Sequence, residues 1–178
     1  EILYREALAI DTRSGKPEPV RGIPLMGYGV LAYERNELAS AQRLLEEGID
    51  AVRGWVRDYD IDGLRLDVAY CLDLGFLAEL RGLANSIKPE FVLVGETLHG
   101  DYNRWMNDHA CHSVTNYECY KGLYSSFNTG NMHEISYSLN RQFGSEQWCL
   151  YTGKHLLSFV DNHDVTRIAS QLREPAAL

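Results

Sequence analysis

The stretch Gly63-Leu64-Arg65-Leu66-Asp67 reads as a buried strand that delivers a carboxylate at its C-terminal end. Two further stretches have the same form: Val92-Leu93-Val94-Gly95-Glu96, and a strand over 155–161 that leads into Asp161-Asn162-His163-Asp164. In a parallel α/β protein, active sites form outside the C-terminal ends of the strands. Three acids so placed predict one shared pocket and carboxylate chemistry.

The segments around these strands supply the helices. Leu38, Ala41, Leu44, Leu45, Ile49, Val52, Trp55 and Val56 recur at steps of three and four, which predicts a helix over 37–58. Gly48 and Gly54 each weaken it by about 1 kcal/mol relative to Ala, a cost that packing must offset. A second helix over 73–88 places Phe76, Leu77, Leu80, Leu83, Ala84 and Ile87 on one face and stops before Pro89. Strand and helix thus alternate with short joints, the pattern of an α/β fold with a parallel sheet. Residues 97–112 are polar and predict a long loop with a short helix near Tyr102–Asn107. A weak strand over 113–115 follows. Next come an aromatic-rich helix over 117–127 (Tyr117, Tyr120, Tyr124, Phe127) and a helix near 132–143 with Ile135, Leu139 and Phe143 on one side. After Ile168 another helix begins. Residues 1–36, punctuated by Gly and Pro, predict a loop-rich segment.

The 178 residues suffice for one ordinary domain with its own core. Hydrophobic residues at 45% and charged residues at 24% are those of a soluble globular protein. A net charge of −8 argues against a nucleic-acid partner, whose backbone demands Lys and Arg. No run of about 18 apolar residues is present, so no membrane span is expected. Cys71, Cys111, Cys119 and Cys149 form no C-x-x-C pair and read as buried free thiols, which leans toward a reducing, cytoplasmic compartment. No signal-peptide pattern is visible, and Glu1-Ile2-Leu3-Tyr4 does not read as a natural start.

Three carboxylates in one pocket can bind a hard metal ion through oxygen. Alternatively they divide the work of glycoside hydrolysis among a nucleophile, a general acid and a helper. Their neighbours favour the second. Arg65 lies two residues before Asp67, so on a strand both side chains face one way, and a fixed guanidinium keeps a carboxylate ionised as a nucleophile needs. Glu96 ends an apolar strand, and a carboxyl in apolar surroundings holds its proton as a general acid needs. His163 beside Asp164 adds a donor for hydroxyl groups. Taken singly, an acid at a strand end is more often a cap or a surface ion pair than a catalyst. His99, His109 and His112 share one loop without the helical spacing of a metal site and read as solvated. At helical spacing the Tyr117 to Phe127 aromatics read as packing before sugar stacking.

Ile61-Asp62-Gly63-Leu64-Arg65-Leu66-Asp67-Val68-Ala69, Val94-Gly95-Glu96-Thr97 and Phe159-Val160-Asp161-Asn162-His163-Asp164 resemble three of the four signature regions of the α-amylase family of glycoside hydrolases, in the family's order. The resemblance implies a (β/α)8 TIM barrel, a retaining mechanism, and starch, maltodextrins or related α-glucans as substrates. It implies Asp67 as nucleophile after barrel strand four, Glu96 as acid/base after strand five, and Asp164 as transition-state stabiliser after strand seven. Arg65 and His163 then hold the nucleophile and the sugar hydroxyls, and His99 reaches the sugar. Gly95-Glu96-Thr97-Leu98-His99 and Thr115-Asn116-Tyr117 are similar to the neopullulanase and cyclomaltodextrinase branch.

The chain departs from the family pattern in two places. The Asp-x-x-x-Asn-His signature has no counterpart. Tyr70-Cys71 stand where many relatives have Lys-His, which bears on acceptor contacts and on a standard calcium site. No cofactor is implied for the chemistry, and calcium is left open for the complete enzyme. A whole barrel of this kind needs about 250 residues. The expectation is therefore a partial TIM barrel, about strands four to seven, over 37–178, with 1–36 as a remnant of the family's inserted small domain. Such a piece is expected to need the missing half of the barrel for activity. Three rivals stand beside hydrolysis: a glucanotransferase of the same family, a metal-dependent barrel hydrolase, and a non-catalytic carbohydrate-binding barrel, which would be expected to have lost one or more of the acids.

Overall fold

The computed structural model describes residues 38–173. The loop-rich segment expected over 1–36, and its boundary with the catalytic part, lie outside the described residues. The described chain divides into two compact units, 38–63 with 72–91 and 64–71 with 92–173.

The first unit is a pair of packed helices, α1 (Leu38–Tyr59) and α2 (Leu74–Ile87). In α1 the buried stripe runs through Leu44, Gly48, Ile49 and Val52, as the periodicity predicts. Gly48 sits inside that stripe, so its lost propensity falls where packing offsets it. Trp55 and Val56 are half-buried. In α2 the buried residues are Phe76, Leu77, Leu80, Leu83 and Ala84. Asp73 caps its start, accepting the Phe76 N–H at 3.0 Å. Lys88 is extended, the conformation that Pro89 imposes on its predecessor, and its ammonium reaches Asp60 at 2.5 Å and Asp62 at 3.0 Å.

The second unit carries a three-stranded sheet in the order β1 (Gly63–Leu66), β2 (Val92–Gly95), β3 (Ser113–Val114). β2 and β3 are parallel, with Val94 opposite Ser113 and Gly95 opposite Val114. A single 3-10 turn, Tyr102–Arg104, marks the short helix expected in the following loop. The strand expected over 155–161 is not formed. One parallel bridge, Leu157 to Thr115, is all that joins this segment to the sheet. Val160 is exposed, and the carbonyls of Val114 and Leu157 take the N–H groups of Leu157 and Asn116, both at 2.9 Å. The apolar run had suggested a strand, but Asn116 opens a helix directly after the bridge and removes the partner backbone.

That helix is α3 (Tyr117–Thr129). Asn116 caps it by accepting the Cys119 N–H at 3.1 Å, and Gly130 closes it in the left-handed conformation at φ 68. It packs on α4 (His133–Phe143). The apolar side of α4 is not its packed side. Leu139 and Phe143 are exposed, Ile135 is half-buried, and the buried residues are Ser138 and Gln142. The two helices approach through small residues. A Cβ on Gly122 would stand 3.1 Å from the Ile135 Cα and 3.2 Å from the Ser138 Oγ. The Ile135 N–H donates to the Ser126 Oγ at 3.2 Å across the contact. Close approach excludes the large side chains that periodicity alone assigns to a core. The helix that begins at Ile168 is one turn, α5 (Ile168–Gln171), and ends at an extended Leu172. No described helix is long and apolar enough to cross a membrane.

A buried polar knot joins these helices to the loop after β2. Tyr102 stacks on Tyr151 with ring centroids 5.2 Å apart. The Arg141 guanidinium donates to the Tyr151 hydroxyl at 2.9 Å and to Glu118 at 2.6 Å, and the Glu118 N–H donates to the Tyr102 hydroxyl at 3.2 Å. Burial pushes the Tyr102 phenol up to about 12. The unfolded chain therefore loses this proton near pH 10 while the folded chain keeps it. Stability contributed below pH 10 is lost as pH rises from 10 through 12, amounting to about 2–3 kcal/mol. Alkaline unfolding followed by circular dichroism should be shallower over that window in Tyr102→Phe, and an unchanged slope would remove Tyr102 as its source.

Cys111 and Cys149 are buried and Cys119 is half-buried, all as free thiols. Cys71 departs from the expectation of burial. It is exposed at the end of the 3-10 turn Ala69–Cys71 after β1, whose first residue, Ala69, is buried.

Candidate active site

β1 and β2 are neighbours, and the Glu96 N–H donates to the Leu66 carbonyl at 2.8 Å. The two strand ends therefore come level, and Asp67 and Glu96 leave them side by side. Gly95 makes this approach possible. A Cβ there would meet the Cys111 Sγ at 2.8 Å and the Ala69 Cβ at 3.0 Å, so only glycine allows the chain before Glu96 to lie so close to its neighbours. The following backbone is tied to the end of β3, because the Thr97 N–H donates to the Thr115 Oγ1 at 2.9 Å.

One guanidinium gathers all three acids. Arg65 Nη1 lies 2.9 Å from Asp67 Oδ1, and Nη2 lies 2.9 Å from Glu96 Oε1 and 3.8 Å from Asp164 Oδ2. His163 Nε2 lies 3.0 Å from Asp164 Oδ2. Five of the six residues singled out in the sequence thus form one cluster. His99 is elsewhere in its contacts: its ring is paired with that of Tyr70, centroids 6.0 Å apart. His112 is not a solvated loop residue, for its Nδ1 accepts the Leu93 N–H at 3.0 Å. Among the described residues no group of three or more His, Cys, Asp and Glu is disposed to hold a metal ion. The cation at the centre of these carboxylates is the chain's own arginine.

The acids differ sharply in environment. The Glu96 side chain is 7% exposed, against 71% for Asp67 and 51% for Asp164. Glu96 does not, however, sit in the apolar surroundings that its strand suggested. Its Oε1 receives Arg65 and the Tyr117 hydroxyl (3.3 Å), and its Oε2 receives the Val68 N–H at 3.0 Å. The apolar residues of β2 lie before the carboxylate, not around it. Val68 makes its contact from a left-handed backbone at φ 49, a strained conformation for a β-branched residue. A carboxylate has about four acceptor positions. Among the described residues three are taken, which leaves one on Oε2 for a proton or a substrate oxygen.

Two members of the cluster went unassigned in the sequence. Tyr117 was counted among packing aromatics. Its ring does pack edge-on against Phe159, centroids 4.9 Å apart, but its hydroxyl points at Glu96. Asn162 lies inside a quoted motif without a role, and its Nδ2 donates to the Tyr117 hydroxyl at 2.9 Å. The available signal for Tyr117 was its place shortly beyond the end of β3, at the first position of α3, on the same side of the sheet ends as Asp67 and Glu96.

A model of the alpha-amylase catalytic domain matches residues 31–177. The chain belongs to the alpha-amylase family. It is 30% identical over 131 residues to a maltogenic alpha-amylase of Bacillus acidopullulyticus, covering 74% of this chain and 22% of that protein. It is 31% identical over 118 residues to neopullulanase 2 of Thermoactinomyces vulgaris, covering 66% of this chain and 20% of that one. The chain thus spans about a fifth of the length of these relatives. In fold it resembles the cyclic alpha-maltosyl-(1→6)-maltose hydrolase of Arthrobacter globiformis, solved in complex with maltose, at a TM-score of 0.61 and 20% identity. That likeness covers 76% of this chain and 30% of the hydrolase.

Proposed function

We propose that the protein is a retaining glycoside hydrolase that cleaves α-1,4-glucosidic bonds of maltodextrins, starch or related α-glucans. The observation that carries this reading is the single Arg65 guanidinium shared by one buried carboxylate, Glu96, and two exposed ones, Asp67 and Asp164. Chemistry that divides distinct roles among carboxyl groups gains from such a difference in environment. The similarity to a maltogenic alpha-amylase and to a neopullulanase supports an α-glucan substrate.

In this reading β1, β2 and β3 correspond to barrel strands four, five and six, and the segment through Leu157 to strand seven. Asp67 attacks the anomeric carbon while Glu96, through the open position on Oε2, gives its proton to the leaving oxygen. The glycosidic bond breaks and an ester to Asp67 forms. Glu96 then takes a proton from water, whose oxygen displaces Asp67 and releases the sugar. Asp164, held with His163, grips the sugar hydroxyls more tightly in the transition state than in the ground state. Two carboxylates on adjacent nitrogens of one guanidinium are compatible with the roughly 5–5.5 Å separation of a retaining pair. His99 and Tyr70 border the sugar site on the side of the β1 and β2 loops. No step calls for a cofactor.

The test is the first-formed product of the intact protein on maltooligosaccharides, followed by proton NMR. The expected result is α-configured maltose or glucose ahead of mutarotation. A β-configured first product would overturn the double-displacement assignment. New, longer oligosaccharides in place of shorter ones would mark a glucanotransferase.

A further inference from the structure

We propose that Tyr117 and Asn162 are positioning residues that hold the Glu96 carboxyl in the attitude needed for proton transfer, and that they couple it to the loop carrying Asp164. The inference rests on the reading of Glu96 as the acid/base.

The geometry is a chain of hydrogen bonds between two acids. The Asp164 N–H donates to the Asn162 Oδ1 at 2.9 Å. The Asn162 Nδ2 donates to the Tyr117 hydroxyl at 2.9 Å, and that hydroxyl donates to Glu96 Oε1 at 3.3 Å. Asn162 uses both ends of its amide, so its orientation is determined at both ends. The Tyr117 hydroxyl has one proton. Once Asn162 donates to its oxygen, that proton is directed to Glu96. Burial of the Tyr117 phenol, with Glu96 and Asp164 nearby, raises its pKa, so it stays protonated and remains a donor through the neutral range.

The chain also settles which oxygen of Glu96 reacts. Arg65 and Tyr117 together occupy Oε1, while Oε2 meets only the Val68 N–H among the described residues. With Oε1 doubly engaged, the transferable proton belongs on Oε2. Removing the Tyr117 hydroxyl opens a position on Oε1 and lets the carboxyl rotate or misplace its proton. A group that only supported the fold would not act selectively on the proton-transfer step.

The Tyr117 ring is separately held. It stands edge-on to Phe159 at 4.9 Å and edge-on to Tyr120 at 6.3 Å. Tyr117→Phe keeps those contacts and deletes one hydroxyl, so it isolates the hydrogen bond from the packing.

The experiment compares two substrates on the intact protein: a maltooligosaccharide, whose alcohol leaving group needs a proton, and an α-maltosyl fluoride, whose fluoride departs without one. Tyr117→Phe is expected to lower kcat/KM, which reports the step that forms the covalent intermediate, roughly 10-fold on the maltooligosaccharide, with kcat/KM on the fluoride within about twofold. Asn162→Ala should do the same, and the double variant should be no slower than the worse single one, because both act through one chain. Equal losses on both substrates, or no loss on either, would overturn the proposal. Glu96→Gln serves as the control. If it shows the large split between substrates and Tyr117→Phe does not, the positioning role alone fails. If Glu96→Gln shows no split, Glu96 is not the acid and the proposal falls with that reading.

Discussion

Asp67→Asn is expected to abolish turnover of maltooligosaccharides while leaving their binding nearly intact. The amide is the same size as the carboxylate and keeps an oxygen for the Arg65 Nη1 that now stands 2.9 Å away, so the cluster need not rearrange. In the proposed double displacement it lacks the nucleophilicity that forms the covalent intermediate. Loss of the nucleophile in an active site that works as a unit costs on the order of 10⁴-fold or more in kcat. Calorimetric titration with maltotriose should give a Kd within a few-fold of the unaltered protein. The geometry offers a second exposed carboxylate on the same guanidinium, Asp164, so Asp164→Asn is the informative partner measurement. If Asp67→Asn keeps more than about a hundredth of the activity and Asp164→Asn loses more than it, the two roles are exchanged.

Arg65→Lys, conservative in charge, is expected to lower kcat/KM by roughly 10³-fold, or about 4 kcal/mol. The guanidinium uses Nη1 for Asp67 and Nη2 for Glu96 and, at longer range, Asp164. An ammonium is a compact point charge and cannot present that planar fork. The acids would then repel one another across a single point, and Glu96, at 7% exposure, would be the one left poorly compensated. Breaking a buried pair typically costs about 3–5 kcal/mol, and here the exposed half of the network softens that figure. A fall in thermal midpoint should therefore accompany the fall in activity. An Arg65→Lys protein within about tenfold of normal kcat/KM would show that charge alone, not the fork, is what the site requires.

The parts of the fold that the sequence discloses are those where one local signal dominates. α1 and α2 announce themselves by apolar spacing and by Asp73 and Pro89 at the ends of α2, and the structure returns both nearly to the residue. β1 and β2 are short apolar runs between turn signals and end at Leu66 and Gly95, a little before the ends expected at 68 and 96. The segment over 155–161 carries the same local signal and forms one bridge, because a strand exists only if a neighbour offers backbone along its length. In α4 the apolar residues share one side as their spacing predicts, yet that side is not the buried one. Gly122, Ser126 and Ser138 make a close contact on another side of the helix, a property of two helices together.

The site divides in the same way. The identities of the acids, their place at strand ends and the pairing of Arg65 with Asp67 follow from residue type and a period of two along a strand, and these were legible in the sequence alone. What surrounds Glu96 was not. The apolar letters before it suggested a dry pocket. Instead, an arginine from the adjacent strand, an N–H from the strained Val68 and a phenol from the start of α3 converge on the carboxylate. Those partners lie 31, 28 and 21 positions from it in the sequence, separations that no local pattern encodes. The sequence by itself determined the family and which acids to propose for the chemistry. The tertiary structure alone decided that a single guanidinium binds all three acids, and that Glu96 has one oxygen engaged twice and one left open. Residue type and spacing act along the chain, whereas a hydrogen-bond partner is chosen by whatever the fold brings within 3 Å.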